Sequence, residues 1–269
     1  MSCLVGLAAW RLAATGAEAV RLTAAVGADG LQLDLGGPGR GEWLDTPGRA
    51  ESLREVAQDT GVHLLAVTAN TLNDVGLIAE PAVVRPILIR LLDVAYELGV
   101  GLVFVPSFRR SAIRGPAEFD RTVAALRWAA VAAEARGLVL ASENVLAPGM
   151  ARTLAERVAS PAFRLLLDTF NPVVHGVSPV ALVTELGHVL ADQVHLKDGP
   201  PEVGASPPLG AGQGGLDDTI AALHRRHVPV RAFVLENDYR DADVDRLAVD
   251  IAWTRERIQQ FVTPGSRSR

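Results

Sequence analysis

The chain has 269 residues, 49% hydrophobic and 21% charged, which is the balance of a soluble globular protein with enough apolar residues for a large core. A formal net charge of −5 gives no basic footprint for nucleic-acid phosphates, and the single cysteine, Cys3, excludes an intrachain disulfide and a Cys-rich metal site. No apolar run reaches the roughly 18–20 residues of a membrane span, so the expectation is a cytoplasmic protein with no nucleic-acid or membrane partner.

Short apolar, β-branched runs alternate with longer helix-periodic stretches along the chain. The predicted strands are Cys3–Trp10, Leu31–Leu35, His63–Ala69, Gly101–Ser107, Leu138–Glu143, Arg164–Asp168, Gln193–Lys197 and Ala232–Glu236. Between the fourth and fifth, the segment Glu118–Gly137 reads as a helix that shares Val123, Leu126, Ala130 and Val131 on one face and stops at glycine. Arg85–Gly99 has the same form. Eight strand–helix alternations in this length predict a parallel sheet closed into a single-domain (β/α)8 TIM barrel, with an open doubly wound sheet as the alternative. The barrel is assigned to residues 1–262, and the polar "TPGSRSR" of 263–269 is a flexible C-terminal tail.

The polar residues that close the later strands carry the chemistry. "LASEN" ends the fifth with Glu143, "LLLDTFN" the sixth with Asp168, "VHLKD" puts His195 on the seventh, and "FVLEND" ends the eighth with Glu236. The C-terminal strand ends form the active-site face of such a barrel. Singly, each acid could cap a helix or pair with an arginine. Four at equivalent positions on adjacent strands point to one divalent metal ion, Mn2+, Co2+ or Mg2+ rather than Zn2+, because mixed carboxylate and imidazole donors suit hard to borderline cations.

Lys197 is the only lysine among 26 basic residues. It lies two residues after His195, so on a strand both side chains face the same side. Its ammonium then either serves the site, as a substrate ligand or acid–base group, or forms a salt bridge with Asp198 or Asp217. Asn70, Asn73, Ser107 and Asn144 lie on strand-to-helix loops and either bind substrate hydroxyls or form local Asx and Ser turns. His63, His188, His224 and His227 read as structural, surface or capping residues. "GAGQGG" (Gly210–Gly215) lacks the spacing of a nucleotide loop and is expected to be a mobile active-site loop.

Taken in order, "GADGLQLDL", "ANTLNDVGL", "VPSF", "SEN", "LDTFN", "VHLKD", "PLGAGQGGLD" and "LEND" give a chain that resembles the xylose-isomerase-like barrels. This sugar isomerase and epimerase superfamily includes ketose 3-epimerases, inosose dehydratases, hydroxypyruvate isomerases and endonuclease IV. The resemblance implies that Glu143, Asp168, His195 and Glu236 bind the metal. It also implies that Glu143 and Glu236 exchange protons with a carbon beside a carbonyl, on opposite faces of the substrate.

The resemblance departs at Asn171, where ketose 3-epimerases carry a substrate-contacting histidine, and at Ala211, where the superfamily often has glutamate. Lys197 also occupies the neighbourhood of an arginine found in those relatives. The substrate-binding set is therefore Asn70, Ser107, Asn144, Asn171 and Lys197, with Lys197 added to Glu143 and Glu236 as a catalytic residue. The expected activity is a metal-dependent isomerase or epimerase acting on a small sugar or polyhydroxy ketone. The alternatives are a dehydratase-type lyase acting on a cyclitol or keto-polyol, an endonuclease IV-like phosphodiesterase, and a sugar-binding barrel without turnover. A homo-oligomer is compatible with the family.

Overall fold

A computed structural model describes residues 3–262 apart from 201, 203, 205–207 and 242, so the tail expected at 263–269 lies outside the described residues. Eight parallel strands close into a barrel in chain order. They are β1 Leu4–Ala8, β2 Gly30–Asp34, β3 His63–Thr68, β4 Leu102–Pro106, β5 Val139–Glu143, β6 Phe163–Asp168, β7 Leu190–Leu196 and β8 Ala232–Leu235. Each matches one of the predicted runs.

A long helix follows every strand: α1 Gly16–Ala25, α2 Arg49–Thr60, α3 Pro81–Leu98, α4 Pro116–Glu134, α5 Pro148–Val158, α6 Pro179–Leu186, α7 Leu216–Arg225 and α8 Val244–Val262. Four of them begin on proline (α3, α4, α5 and α6), whose fixed φ suits the first turn and whose missing N–H costs nothing there. Short helical turns at Leu72–Val75 and Asn171–Val174 lie in the loops after β3 and β6. The predicted stop of α3 is Gly99, left-handed at φ 70°. On α4, Val123, Leu126 and Ala130 are buried as expected, but Val131 is 61% exposed. The reason is geometric: one further residue at about 100° of rotation carries Val131 round to the solvent side.

Strand alternation sorts the side chains into two cores. Val5, Leu7, Leu31, Leu33, Val103, Val105, Val194, Leu196, Phe233 and Leu235 pack with the helices in one continuous apolar layer. Inside the barrel, Ala8, Leu65, Ala66, Phe104, Ala141, Leu166, Ala191, Ala232 and Val234 form a separate plug. Leu65 fits only because Gly6 and Gly30 face it; a Cβ at Gly30 would lie 2.7 Å from Leu65 Cγ.

The same alternation places the chemistry. Glu143 comes two residues after the interior Ala141, Asp168 two after Leu166, and Glu236 two after Val234, while Gln193 and His195 on β7 are followed at the same spacing by Lys197 just past its end. Each therefore projects into the mouth above the apolar plug. Among the described residues no helix is long and apolar enough to cross a membrane.

Candidate active site

Glu143, Asp168, His195 and Glu236 converge, each offering one donor atom, and these atoms all lie within 4.8 Å of one another. The four residues are at most 5% exposed. Register enforces part of this, because Asp168 on β6 lies directly beside His195 on β7.

His195 is oriented from below. Phe104 meets its ring edge-on at 5.3 Å between centroids, and Trp10 stands 6.2 Å away. Its Nε2 is 2.9 Å from Gln32 Oε1. Gln32 Nε2 donates to Gln193 Oε1 at 2.9 Å, and Gln193 Nε2 donates to the Leu65 carbonyl at 2.8 Å. A carbonyl can only accept, so the relay has one polarity: both amides are fixed, Gln32 presents its oxygen, and His195 must donate through Nε2–H. In the neutral imidazole this leaves the Nδ1 lone pair facing the carboxylates.

Asp168 and Glu236 are likewise each held by one oxygen while the other faces the centre. Asp168 Oδ1 accepts the backbone N–H groups of Phe170 and Asn171 at 2.7 and 2.5 Å. Glu236 Oε1 accepts from Trp10 Nε1 at 2.9 Å and from Arg11 at 3.3 Å. Glu143 Oε1 accepts from Asn171 Nδ2 at 3.0 Å. Asp168 Oδ2, His195 Nδ1 and Glu236 Oε2 are buried without a hydrogen bond. Lys197 Nζ is nonetheless within ion-pair distance of Asp168 Oδ2 and Glu236 Oε2, at 3.2 and 2.8 Å. Buried polar atoms are normally hydrogen-bonded. These three instead face one another and Lys197, with His195 Nδ1 3.0 Å from Glu236 Oε2; a convergent set of three carboxylates and one imidazole suits a divalent cation, so the donor set fits the expected metal.

The electrostatics divide the two glutamates. Burial pushes the Glu143 carboxyl up, against the opposing pull of His195. Burial acts the same way on Glu236, but Lys197, His195 and Arg11 outweigh it and hold that carboxyl well below the usual range. Burial alone would depress His195, yet Glu236 and Glu143 push it up to about 10. Lys197 is raised too, its desolvation overcome by Asp168, Glu236 and Glu143.

The expected pairing of Lys197 with Asp198 or Asp217 is not found. Asp217 binds Arg257 at 2.7 Å. Asp198 accepts four backbone N–H groups, from Gly199, Gly210, Gly212 and Gly214, at 2.8–3.0 Å. The carboxylate partners of Lys197 are instead Asp168 and Glu236, because the alternation of β7 continues to turn Lys197 inward and Asp198 outward. The glycine segment expected to be mobile is wrapped around the Asp198 carboxylate, with no room for a Cβ at Gly212.

Above the site opens a cavity of about 720 Å³. Glu143, Glu236, Lys197, Asn171 and Asn70 line it. Asn70 also donates to Asp34 at 3.2 Å. Ser107 and Asn144, expected on the same cavity, line a neighbouring pocket of about 340 Å³. There Asn144 closes an Asx turn onto Leu146 N at 3.1 Å, and Ser107 Oγ faces Ser142 Oγ at 3.5 Å. Sequence reasoning missed Trp10 and Arg11, which follow β1 at the same end of the barrel as the four converging donors. It also missed Gln32, the polar interruption of an apolar strand, and the cavity arginines Arg40, Arg109 and Arg240.

Residues 20–257 match the family model described as xylose isomerase-like TIM barrel. A protein from Actinoplanes sp. named 2-epi-5-epi-valiolone 7-phosphate 2-epimerase is 64% identical over 255 residues, covering 95% of this chain and 94% of that one. Among solved structures, a xylose isomerase domain protein from Planctomyces limnophilus superposes with a TM-score of 0.78 at 14% identity, over 97% of this chain and 98% of that one. An L-ribulose 3-epimerase superposes at 0.77 with 17% identity, over 99% and 100%.

Proposed function

The chain belongs to the xylose isomerase-like TIM barrel family, and on that premise we propose that it is an epimerase inverting a stereocentre next to the carbonyl of a phosphorylated polyhydroxy ketone. The observation that carries this reading is the division of the two glutamates. Glu143 and Glu236 border one cavity, and their surroundings push their pKa values in opposite directions. Carboxylates separated in this way are suited to opposite acid–base roles.

Glu236, held ionised, takes the proton from the carbon beside the carbonyl. Glu143, on the same cavity, returns a proton to the opposite face. Trp10 and Arg11 fix Glu236 through the oxygen that does not face His195 and Lys197. Lys197, kept protonated, places an ammonium where negative charge develops on the substrate oxygen. Asn171 holds Glu143 and receives the Lys197 ammonium on its own Oδ1 at 3.3 Å, which ties the two together. A divalent ion on Glu143, Asp168, His195 and Glu236, with Mn2+, Co2+ and Mg2+ as candidates, supplies Lewis-acid polarisation of the carbonyl when bound. The phosphorylated substrate class comes from the Actinoplanes relative, whose name specifies a 7-phosphate and a 2-epimerisation.

The test is NMR of 2-epi-5-epi-valiolone 7-phosphate with the protein in deuterium oxide. Solvent deuterium at the carbon beside the carbonyl, together with the inverted epimer, is expected. Glu143→Gln and Glu236→Gln should each lower kcat by about 10²–10⁴-fold. Loss of water from the substrate would replace the epimerase with a lyase, and full activity in both variants would remove the two glutamates from the mechanism.

A further inference from the structure

The cavity has a second polar region, away from the four converging donors. Arg40 from the loop after β2 and Arg109 from the loop after β4 line it on either side of Asp74, from the loop after β3. Arg40 Nε reaches Asp74 Oδ2 at 2.9 Å, and Arg109 Nη1 reaches Asp74 Oδ1 at 2.6 Å. One carboxylate thus serves two guanidiniums through separate oxygens, and the trio keeps one positive charge. Asp34 lies 3.8 Å from Arg40 Nη1, behind the trio, and does not line the cavity. The wider balance agrees. Five cationic side chains and three carboxylates line this cavity, in a chain whose formal net charge is −5.

The other two arginines have no such surplus. Arg11 is engaged by Glu236, and Arg240 closes onto Asp238 of its own loop at 2.7 Å. Arg109 is also held in the left-handed backbone region at φ 52°, which side-chain-bearing residues seldom adopt, so its position is specified by the fold.

We propose that Arg40 and Arg109 form a phosphoryl-binding subsite, bridged by Asp74, that holds the phosphate end of the substrate while its carbonyl end lies against Lys197, Glu143 and Glu236. This rests on the phosphorylated-substrate reading and adds the residues that enforce it. Guanidiniums are matched to phosphate because their planar fork presents paired N–H donors to two oxygens. The Asp74 bridge uses Nε of Arg40 and one terminal nitrogen of Arg109, which leaves further donors on each fork for the anion. Asp74 holds the two arginines in place when the cavity contains no phosphate and lowers the affinity for free phosphate.

Two measurements test it. In turnover, the ratio of kcat/KM for 2-epi-5-epi-valiolone 7-phosphate to that for the unphosphorylated ketone should fall at least tenfold in Arg40→Met and in Arg109→Met, with Arg109→Lys recovering part of it. In binding, inorganic phosphate titrated into the intact protein and followed by 31P NMR should lose most of its affinity in the double variant. It should gain roughly tenfold in Asp74→Asn, where both guanidiniums are freed; a purely structural role for the trio would give weaker binding instead. Turnover whose phosphate preference ignores both arginines overturns the subsite. Phosphate binding that responds to the arginines, in a protein that epimerises neither ketone, upholds the subsite and removes the epimerase reading. Phosphate binding that none of the variants changes is adventitious and also overturns the subsite.

Discussion

At the scale of single residues, the site depends on which nitrogen of His195 carries a proton, and that is decided two side chains away. Gln193 touches no metal-site residue, yet its bond to Leu65 O orients Gln32, and Gln32 sets the tautomer. Gln32→Leu removes the acceptor outright. Gln193→Leu leaves Gln32 free to turn its NH2 toward Nε2, which would put the proton on Nδ1, where a metal must bind. Both should weaken Mn2+ or Co2+ affinity about 10–100-fold by calorimetric titration, the usual cost of losing the group that orients a ligand histidine. Unchanged affinity in Gln193→Leu would show that the relay does not set the tautomer. The pH dependence follows from His195 as well. Its folded value of about 10, against an ordinary 6.5, means that stabilisation by the imidazolium is complete below pH 6.5 and is lost as pH rises through 10. The same proton competes with the metal, so metal affinity should rise between pH 6.5 and 9 by up to about tenfold per unit. A flat profile would mean that His195 is not a ligand. The convergence of the four donors was legible in the sequence because each lies at the end of a strand. The relay was not, because Gln32 and Gln193 are 161 residues apart and only barrel closure brings them together.

At the scale of elements, the strands were legible and the loops were not. Short apolar, β-branched runs identified the strands, and the two-residue spacing on the seventh gave His195 and Lys197 a shared side. Loop structure is set by hydrogen bonds between positions that no period relates. "GAGQGG" is the clearest case: its glycines suggested freedom, whereas they allow four backbone N–H groups from Gly199–Gly214 to close on Asp198. Asp198 is 1% exposed and directly follows Lys197, so this loop also anchors the end of β7. Asp198→Ala leaves those N–H groups without their acceptor. The expected cost is about 3 kcal/mol, or roughly 5–10 °C in Tm by calorimetry for a domain of this size. Gly212→Ala, whose Cβ would overlap the Asp198 carboxylate, should act in the same direction. An unaltered Tm in both variants would show the loop to be dispensable for the fold.

At the scale of the whole molecule, the question is whether the barrel folds without a cation in the four-donor site. By formal charge the four donor residues carry three negative charges, and in a buried site such repulsion would make the cation a structural requirement. The surroundings change that balance. Lys197 lies between Asp168 and Glu236, His195 is pushed toward its protonated form, and burial favours a proton on Glu143, so the site approaches neutrality with the chain's own groups. Beneath it, the interior clusters around Leu65 and around Phe104 and Leu166, and the outer helix layer, are built almost wholly from apolar side chains below the mouth. The barrel should therefore fold after chelation and unfold cooperatively on heating. Metal then acts as a ligand of the native state: at a free concentration 100 times its Kd it adds about 2.7 kcal/mol, equivalent to roughly 5–10 °C in Tm. The shift should shrink toward pH 6.5, where the His195 proton competes, and it should be absent in Asp168→Asn, which keeps the shape and loses the charge. Global unfolding on chelation would mean that Lys197 and His195 do not balance the carboxylates. A chelated protein whose Tm ignores Mn2+, Co2+ and Mg2+ alike would mean that the four donors serve the fold through Lys197 alone.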